Sequence, residues 1–251
     1  MVSGSTLSLS LSLYLSFFSL FSQSDDKVSL EVYYESLCPD SANFIVNYLP
    51  QIFEKNLISI VDLKLYPWGN TKLRPNATFV CQHGAYECLL DTVEACAIDI
   101  WPELSKHFTF IYCIEDLVHQ HKYKEWESCF EKLDLDPEPI NQCYTSEYGK
   151  KLELQYAAET DALQPPHKFV PWVVVNGEPL YDDIENFISY ICEAYKGSEA
   201  PQSCAQVSNV RQVKAKPKHS VCNMEREMST WEKVRSTITS WMHQINLGGA
   251  I

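Results

Sequence analysis

"YYESLCPDSANFIVNYL", residues 33–49, carries the chain from a strand into a helix at a cysteine. Upstream, Val28, Leu30, Val32 and Tyr34 fall on alternate positions, the period-two pattern of a half-buried strand. Downstream, Pro39 suits a first helical position, where its missing N–H would have no intrahelical partner. Phe44, Ile45, Tyr48, Leu49, Ile52 and Phe53 then recur at helical spacing, with Pro50 expected to kink the helix. Cys38 thus stands where the strand ends and the helix begins. Unpaired backbone N–H groups and the positive end of the helix dipole favour thiolate over thiol there. Cysteines so placed have pKa values of roughly 3.5–7.5 instead of about 8.5. The Asp40 carboxylate works in the opposite sense. Three residues after Cys38, where a second cysteine would complete a C-x-x-C dithiol, stands Ser41.

The elements around this junction set its context. "LISIVDLKLYPW", residues 57–68, predicts a second strand with Val61, Leu63 and Leu65 on one face. Strand, helix and strand in that order predict a parallel pair joined by a right-handed crossover. Residues from about 70 to 160 change character: four stretches, the first "AYECLLDTVEACAIDIWPEL" from Ala85, read as helices, and the block holds six of the ten cysteines. "FVPWVVVNGEPLYDD", residues 169–183, predicts a β-branched strand, a two-residue turn at Asn176–Gly177 and a short antiparallel return. "DIENFISYICEAYKG", residues 183–197, closes as a helix, with Asp182 or Asp183 as candidate N-cap and Gly197 as C-cap. The sum is the thioredoxin order enlarged in the middle: an α/β, thioredoxin-like fold with a disulfide-rich helical insertion. The expected division is a signal peptide at 1–24, the thioredoxin-like domain at 25–197 with its insertion at about 70–160, a Cys-containing linker at 198–223 and an amphipathic helical tail at 224–251.

Composition narrows the function classes. The 251-residue chain is 45% hydrophobic and carries a net charge of −13, which gives it no general attraction for nucleic acid or anionic membranes. Residues 1–24 contain no charged side chain, are too broken by serines for a bilayer span, and end in small residues before Asp25, which predicts a cleaved secretory signal. No later segment is apolar and long enough to span a membrane, so no integral segment is expected after cleavage. Ten cysteines behind such a signal point to an oxidising compartment and to disulfides. Asn76 in "NAT" is the one N-glycosylation acceptor and fits the same route. No C-x-x-C pair occurs and "CQH" is poor zinc spacing, so no metal and no bound cofactor are expected.

Pro171 opens the predicted third strand. In thioredoxin folds the peptide before this proline is cis and faces the reactive sulfur, and its backbone can pair with a bound polypeptide. Val170 and Pro171 are therefore the candidate client-binding residues. His167 is a candidate neighbour of Cys38, whereas His83 reads as either a base near a thiolate or a structural residue of the turn before the next helix.

"CQHGAYEC", Cys81 to Cys88, resembles the signature C-Q-H-G-x-x-E-C-x-x-N of the gamma-interferon-inducible lysosomal thiol reductase family. It matches at Cys81, Gln82, His83, Gly84, Glu87 and Cys88 and departs at Asp91, where the family usually has Asn. "LYPWGN" at 65–70 and "TDALQPPHKFVPWVVVNGEPL" at 160–180 are similar to two further family segments, so the resemblance covers roughly 28–222. It implies a secreted or lysosomal (or vacuolar) glycoprotein that reduces protein disulfides, often at acidic pH, through a C-x-x-C site. Of that pair only Cys38 carries over.

The expected function is a thiol–disulfide oxidoreductase with Cys38 as its single nucleophile, acting on disulfide-containing client proteins. The alternative is a redox-impaired member that only binds clients. Ser41 cannot form an S–S bond, so release of a trapped client is expected to need an external small thiol such as glutathione or cysteine. Cys81, Cys88, Cys96, Cys113, Cys129, Cys143, Cys192 and Cys204 are the structural disulfide candidates, with Cys113–Cys129 and Cys192–Cys204 as suggested pairs and Cys222 as the odd one out.

Overall fold

The computed structural model describes residues 27–75, 77–207 and 222–223. Strand β1 (Val28–Tyr34) leads into helix α1 (Pro39–Asn47); Pro50 breaks the continuation, and a short α2 (Gln51–Glu54) follows. Strand β2 (Val61–Pro67) returns parallel to β1, in register from Val28 opposite Val61 to Tyr34 opposite Pro67. A small antiparallel pair, β3 (Lys72–Leu73) and β4 (Phe79–Val80), precedes five helices: α3 (Ala85–Ile100), α4 (Leu104–His119), α5 (Ser128–Lys132), α6 (Glu138–Tyr144) and α7 (Glu147–Asp161). Strands β5 (Trp172–Val175) and β6 (Glu178–Pro179), then α8 (Phe187–Ala194) and α9 (Gln202–Val207), complete the described order. The main sheet runs β2-β1-β5-β6, with β5 antiparallel to β1.

Alternation along β1 divides the core as the sequence pattern requires. Leu30, Val32 and Tyr34 pack with Leu63, Leu65, Val173 and Val175 against α1, α2 and α8. Tyr33, with Tyr66, Trp172 and Val174, forms the opposite face, which Tyr156 of α7 helps to cover. The helical block has its own core around Leu90, Phe110, Ile114, Trp126 and Phe130, stapled by Cys96–Cys143 and Cys113–Cys129. Cys81–Cys88 ties its entrance and Cys192–Cys204 ties α8 to α9. Both suggested pairs are therefore present.

The first helix of the insertion begins at Ala85, where its sequence predicts, after Gly84, whose φ of 99° few side chains tolerate; the β3–β4 pair precedes it. Two expectations change. The closing helix starts at Phe187 with Asn186 at its cap, not at Asp182 or Asp183. The Asp183 carboxylate instead accepts hydrogen bonds from Asn186 Nδ2 and the Tyr190 hydroxyl, and residues Tyr181–Asn186 form a 3-10 segment. The helix ends at Tyr195 rather than at Gly197. Asn176 and Gly177 both have positive φ, as the two-residue turn between β5 and β6 requires. Among the described residues no helix is long and apolar enough to cross a membrane. The expected signal peptide at 1–24, the acceptor Asn76 and the tail at 224–251 lie outside the described residues.

Candidate active site

Cys38 caps the N-terminus of α1. Its backbone is extended (φ −73°, ψ 120°) and its sulfur accepts a hydrogen bond from the Ser41 N–H at 3.4 Å. This is the geometry the strand–Pro–helix pattern implies, since the N-cap acceptor takes an N–H that has no partner within the helix. Ser41 is buried, and among the described residues its hydroxyl has no hydrogen-bond partner; its contact with the sulfur is through the backbone N–H. The Val170–Pro171 peptide is cis, and the Val170 carbonyl oxygen lies 3.6 Å from Cys38 Sγ. The fold thus brings together two sequence candidates that lie 132 residues apart.

The expectation that Cys38 is unpaired and Cys222 the odd cysteine is corrected. The two form a disulfide, both residues are fully buried, and none of the ten cysteines is free. The Cys222–Asn223 segment lies along the proline loop. The Val170 N–H donates to the Cys222 carbonyl at 3.1 Å, and Asn223 forms an antiparallel bridge with Phe169. Two side-chain amides hold the same segment: Asn70 Nδ2 donates to the Cys222 carbonyl (3.1 Å) and Gln82 Nε2 to the Asn223 carbonyl (2.9 Å). Asn70 Nδ2 also donates to Gln82 Oε1 at 2.8 Å, which orients the two amides together.

Glu35, just beyond β1, is a site residue the sequence reading missed. A carboxylate oxygen of Glu35 and the sulfurs of Cys38 and Cys222 all lie within 4.8 Å of one another. Burial, then repulsion from Glu87, raises its pKa to about 7 against the opposing effects of His83 and the Asn70 N–H. That N–H donates to Glu35 Oε2 at 2.9 Å. Gly69 has φ +54°, and a Cβ there would stand 2.6 Å from Glu35 Cβ, so only glycine permits this approach.

His83 pairs through Nδ1 with both Glu35 and Glu87. Burial opposes its charge, but hydrogen bonds donated to the Glu35 and Glu87 carboxylates outweigh burial and push it up to about 10. His83 is an ion-pair anchor rather than a proton acceptor. Glu35, His83 and Glu87 have a donor set that could suit a metal, yet the imidazole nitrogen already lies between the two carboxylates as a counter-ion. His167 is buried, which lowers its pKa against Asp161 and a hydrogen bond with the Gly69 backbone. It thus adjoins the Gly69 turn.

Behind the site, α3 presents Glu87, Asp91 and Glu94 on one buried face, joined by Glu115 of α4 and Glu153 of α7. The Tyr34 hydroxyl donates to Glu94 Oε2 (2.6 Å) and the Ser36 N–H to Asp91 Oδ1 (2.8 Å). Helical spacing of the three α3 carboxylates was the available signal. For Cys222 it was the even number of cysteines.

A cysteine capping a helix at a strand end, against a cis-proline loop on a thioredoxin-like sheet, defines a thiol–disulfide oxidoreductase. Comparison with known proteins agrees. A family described as gamma interferon inducible lysosomal thiol reductase (GILT) matches residues 29–133. A gamma-interferon-responsive lysosomal thiol protein of Arabidopsis thaliana is 44% identical over 182 residues, covering 71% of this chain and 76% of its own length. A gamma-interferon-inducible lysosomal thiol reductase of Mus musculus is 36% identical over 189 residues, with 72% and 73% covered. Among solved structures, BdbD from Bacillus subtilis aligns with a TM-score of 0.50 at 13% identity, covering 70% of this chain and 91% of its own, a likeness of fold alone. The chain belongs to the gamma-interferon-inducible lysosomal thiol reductase family.

Proposed function

We propose that this thiol–disulfide oxidoreductase reduces disulfides of client proteins through Cys38 in an oxidising compartment of the secretory or lysosomal route. The observation that carries the reading is the Cys38 sulfur at the N-terminus of α1, accepting the Ser41 N–H beside Val170. Both the N–H and the helix dipole favour the thiolate, the species that attacks a disulfide. Two equivalents of an external small thiol such as glutathione or cysteine first reduce Cys38–Cys222 and leave as their own disulfide. Glu35, near half-protonation at neutral pH, accepts the Cys38 proton. The thiolate attacks one client sulfur. The client S–S bond breaks, a Cys38–client disulfide forms, and the departing client thiolate takes a proton. Val170 and Pro171 seat the client. Ser41 cannot release it, so a second thiol must, and the external small thiol serves. The Cys38–Cys222 bond favours a second reading in which Cys222 is that thiol. Five disulfides support the oxidising compartment, and with it removal of residues 1–24 and glycosylation at Asn76.

The test is turnover of a disulfide-bridged protein with glutathione, comparing the parent with Cys38→Ala. Abolished turnover, and a client adduct trapped on Cys38 at limiting thiol, are the expected results. Unchanged turnover in Cys38→Ala refutes the proposal.

A further inference from the structure

Two family segments, "LYPWGN" and "CQHG", are not explained by the cysteine chemistry. The structure brings one amide from each, Asn70 and Gln82, to the same short stretch of backbone. They hold consecutive carbonyls, those of Cys222 and Asn223. The proline loop adds the Val170 N–H and the Phe169 bridge on the same stretch. These hydrogen bonds read main chain. The one side-chain requirement among them is a sulfur bonded to Cys38. Any extended polypeptide with a cysteine in this register presents the same groups.

We propose that Asn70 and Gln82 are a backbone-reading clamp for polypeptide clients, and that Cys222–Asn223 occupies the client's seat in the oxidised chain. The inference rests on the reading of Cys38 as nucleophile. A client would lie antiparallel to Phe169–Val170, its reactive cysteine at Cys38 and its next carbonyl on Gln82. The clamp is built for the purpose. Asn70 is buried, its own N–H is fixed by Glu35, and its amide is oriented by Gln82. The ligand class is an extended, cysteine-containing polypeptide rather than a small disulfide such as that of cysteamine, which offers no carbonyl. Clearing the seat takes reduction of Cys38–Cys222: two electrons and two protons enter from two small-molecule thiols, which leave joined as one disulfide. Cys38 then attacks the client disulfide as above.

The experiment uses the full chain carrying Cys222→Ser, which leaves the Cys38 thiol unpaired. Two probes carry the same activated aryl disulfide, one on a central cysteine of an extended peptide, the other on cysteamine. Release of the arylthiolate gives a second-order rate constant for each. Adding Gln82→Ala is expected to lower the peptide-to-cysteamine rate ratio about fivefold, the effect of one lost hydrogen bond of about 1 kcal/mol. Gln82→Glu, which turns an acceptor toward the client carbonyl, is expected to lower it further. An unchanged ratio, or equal loss on both probes, overturns the clamp and leaves the nucleophile standing. Absence of an adduct on Cys38 with either probe removes both readings.

Discussion

Cys38 and Cys222 are separated by 184 residues and joined by a disulfide in which neither residue is exposed. The sulfur best placed to be a nucleophile is therefore held by its own chain. A cross-link over so long a loop removes much unfolded-state entropy, at most roughly 5 kcal/mol by loop closure. The realised amount is smaller because four other disulfides fall within the same loop and already shorten it.

Cys222→Ser should expose one thiol and lower stability together. Intact mass after iodoacetamide should show a single adduct, mapped to Cys38, where the oxidised parent takes none. The melting temperature should fall by several degrees, since about 1 kcal/mol corresponds to roughly 2–4 °C at this size. An adduct on any other cysteine contradicts the pairing.

Glu35→Gln should make the Cys38 thiol more acidic. An ionised carboxylate within 4.8 Å of the sulfurs disfavours a second negative charge. Removing it should move the alkylation profile of Cys38, measured in the Cys222→Ser background, down by about one pH unit or more. A profile that stays put or moves up rules out this coupling.

Ser41→Cys should reroute the site. The Ser41 backbone N–H is already 3.4 Å from Cys38 Sγ, so a cysteine at this position completes a local dithiol. The expected products are a disulfide between Cys38 and the introduced cysteine, an alkylatable Cys222, and turnover that depends less on added glutathione. Peptide mapping under non-reducing conditions decides the matter.

The buried carboxylates predict greater stability in acid. Burial, against hydrogen bonds with Tyr34 and Glu115, raises Glu94 to about 8; burial and Glu87 raise Glu35 to about 7. Burial and mutual repulsion raise Asp91, Glu115 and Glu153 as well. A carboxyl whose folded pKa lies above its unfolded value contributes stability that is complete below the unfolded value and lost as pH rises through the folded one. Stability should therefore hold near pH 4.5 and decline toward pH 8. A loss of about 3 kcal/mol would lower the melting temperature by roughly 6–12 °C. Glu115→Gln should flatten the decline, and a melting temperature that rises toward pH 8 would count against it.

Gly69→Ala should damage the site from behind. The φ of +54° and the 2.6 Å approach to Glu35 Cβ leave no room for a methyl group. A loss of about 2 kcal/mol or more, read by denaturant melts, is expected.

The sequence by itself determined the scaffold and half the site. Alternation at Val28, Leu30, Val32 and Tyr34, Pro39 at a helix start, and Asn176–Gly177 at a turn are local constraints, and each element formed where its residues demanded. Cys38 and the Val170–Pro171 loop were legible because strand order alone places them together. Local pattern failed where long-range contact decided. Asp183 looked like a helix cap, but its carboxylate bonds to Tyr190 and Asn186. Nothing in the local pattern marks Glu35, and Gly69 and Asn70 enclose it only in the folded chain. The partner of Cys38 was beyond local reading altogether. Disulfide pairing depends on which sulfurs the finished fold brings together, and only the tertiary structure placed Cys222, held by Asn70, Gln82 and Val170, against Cys38.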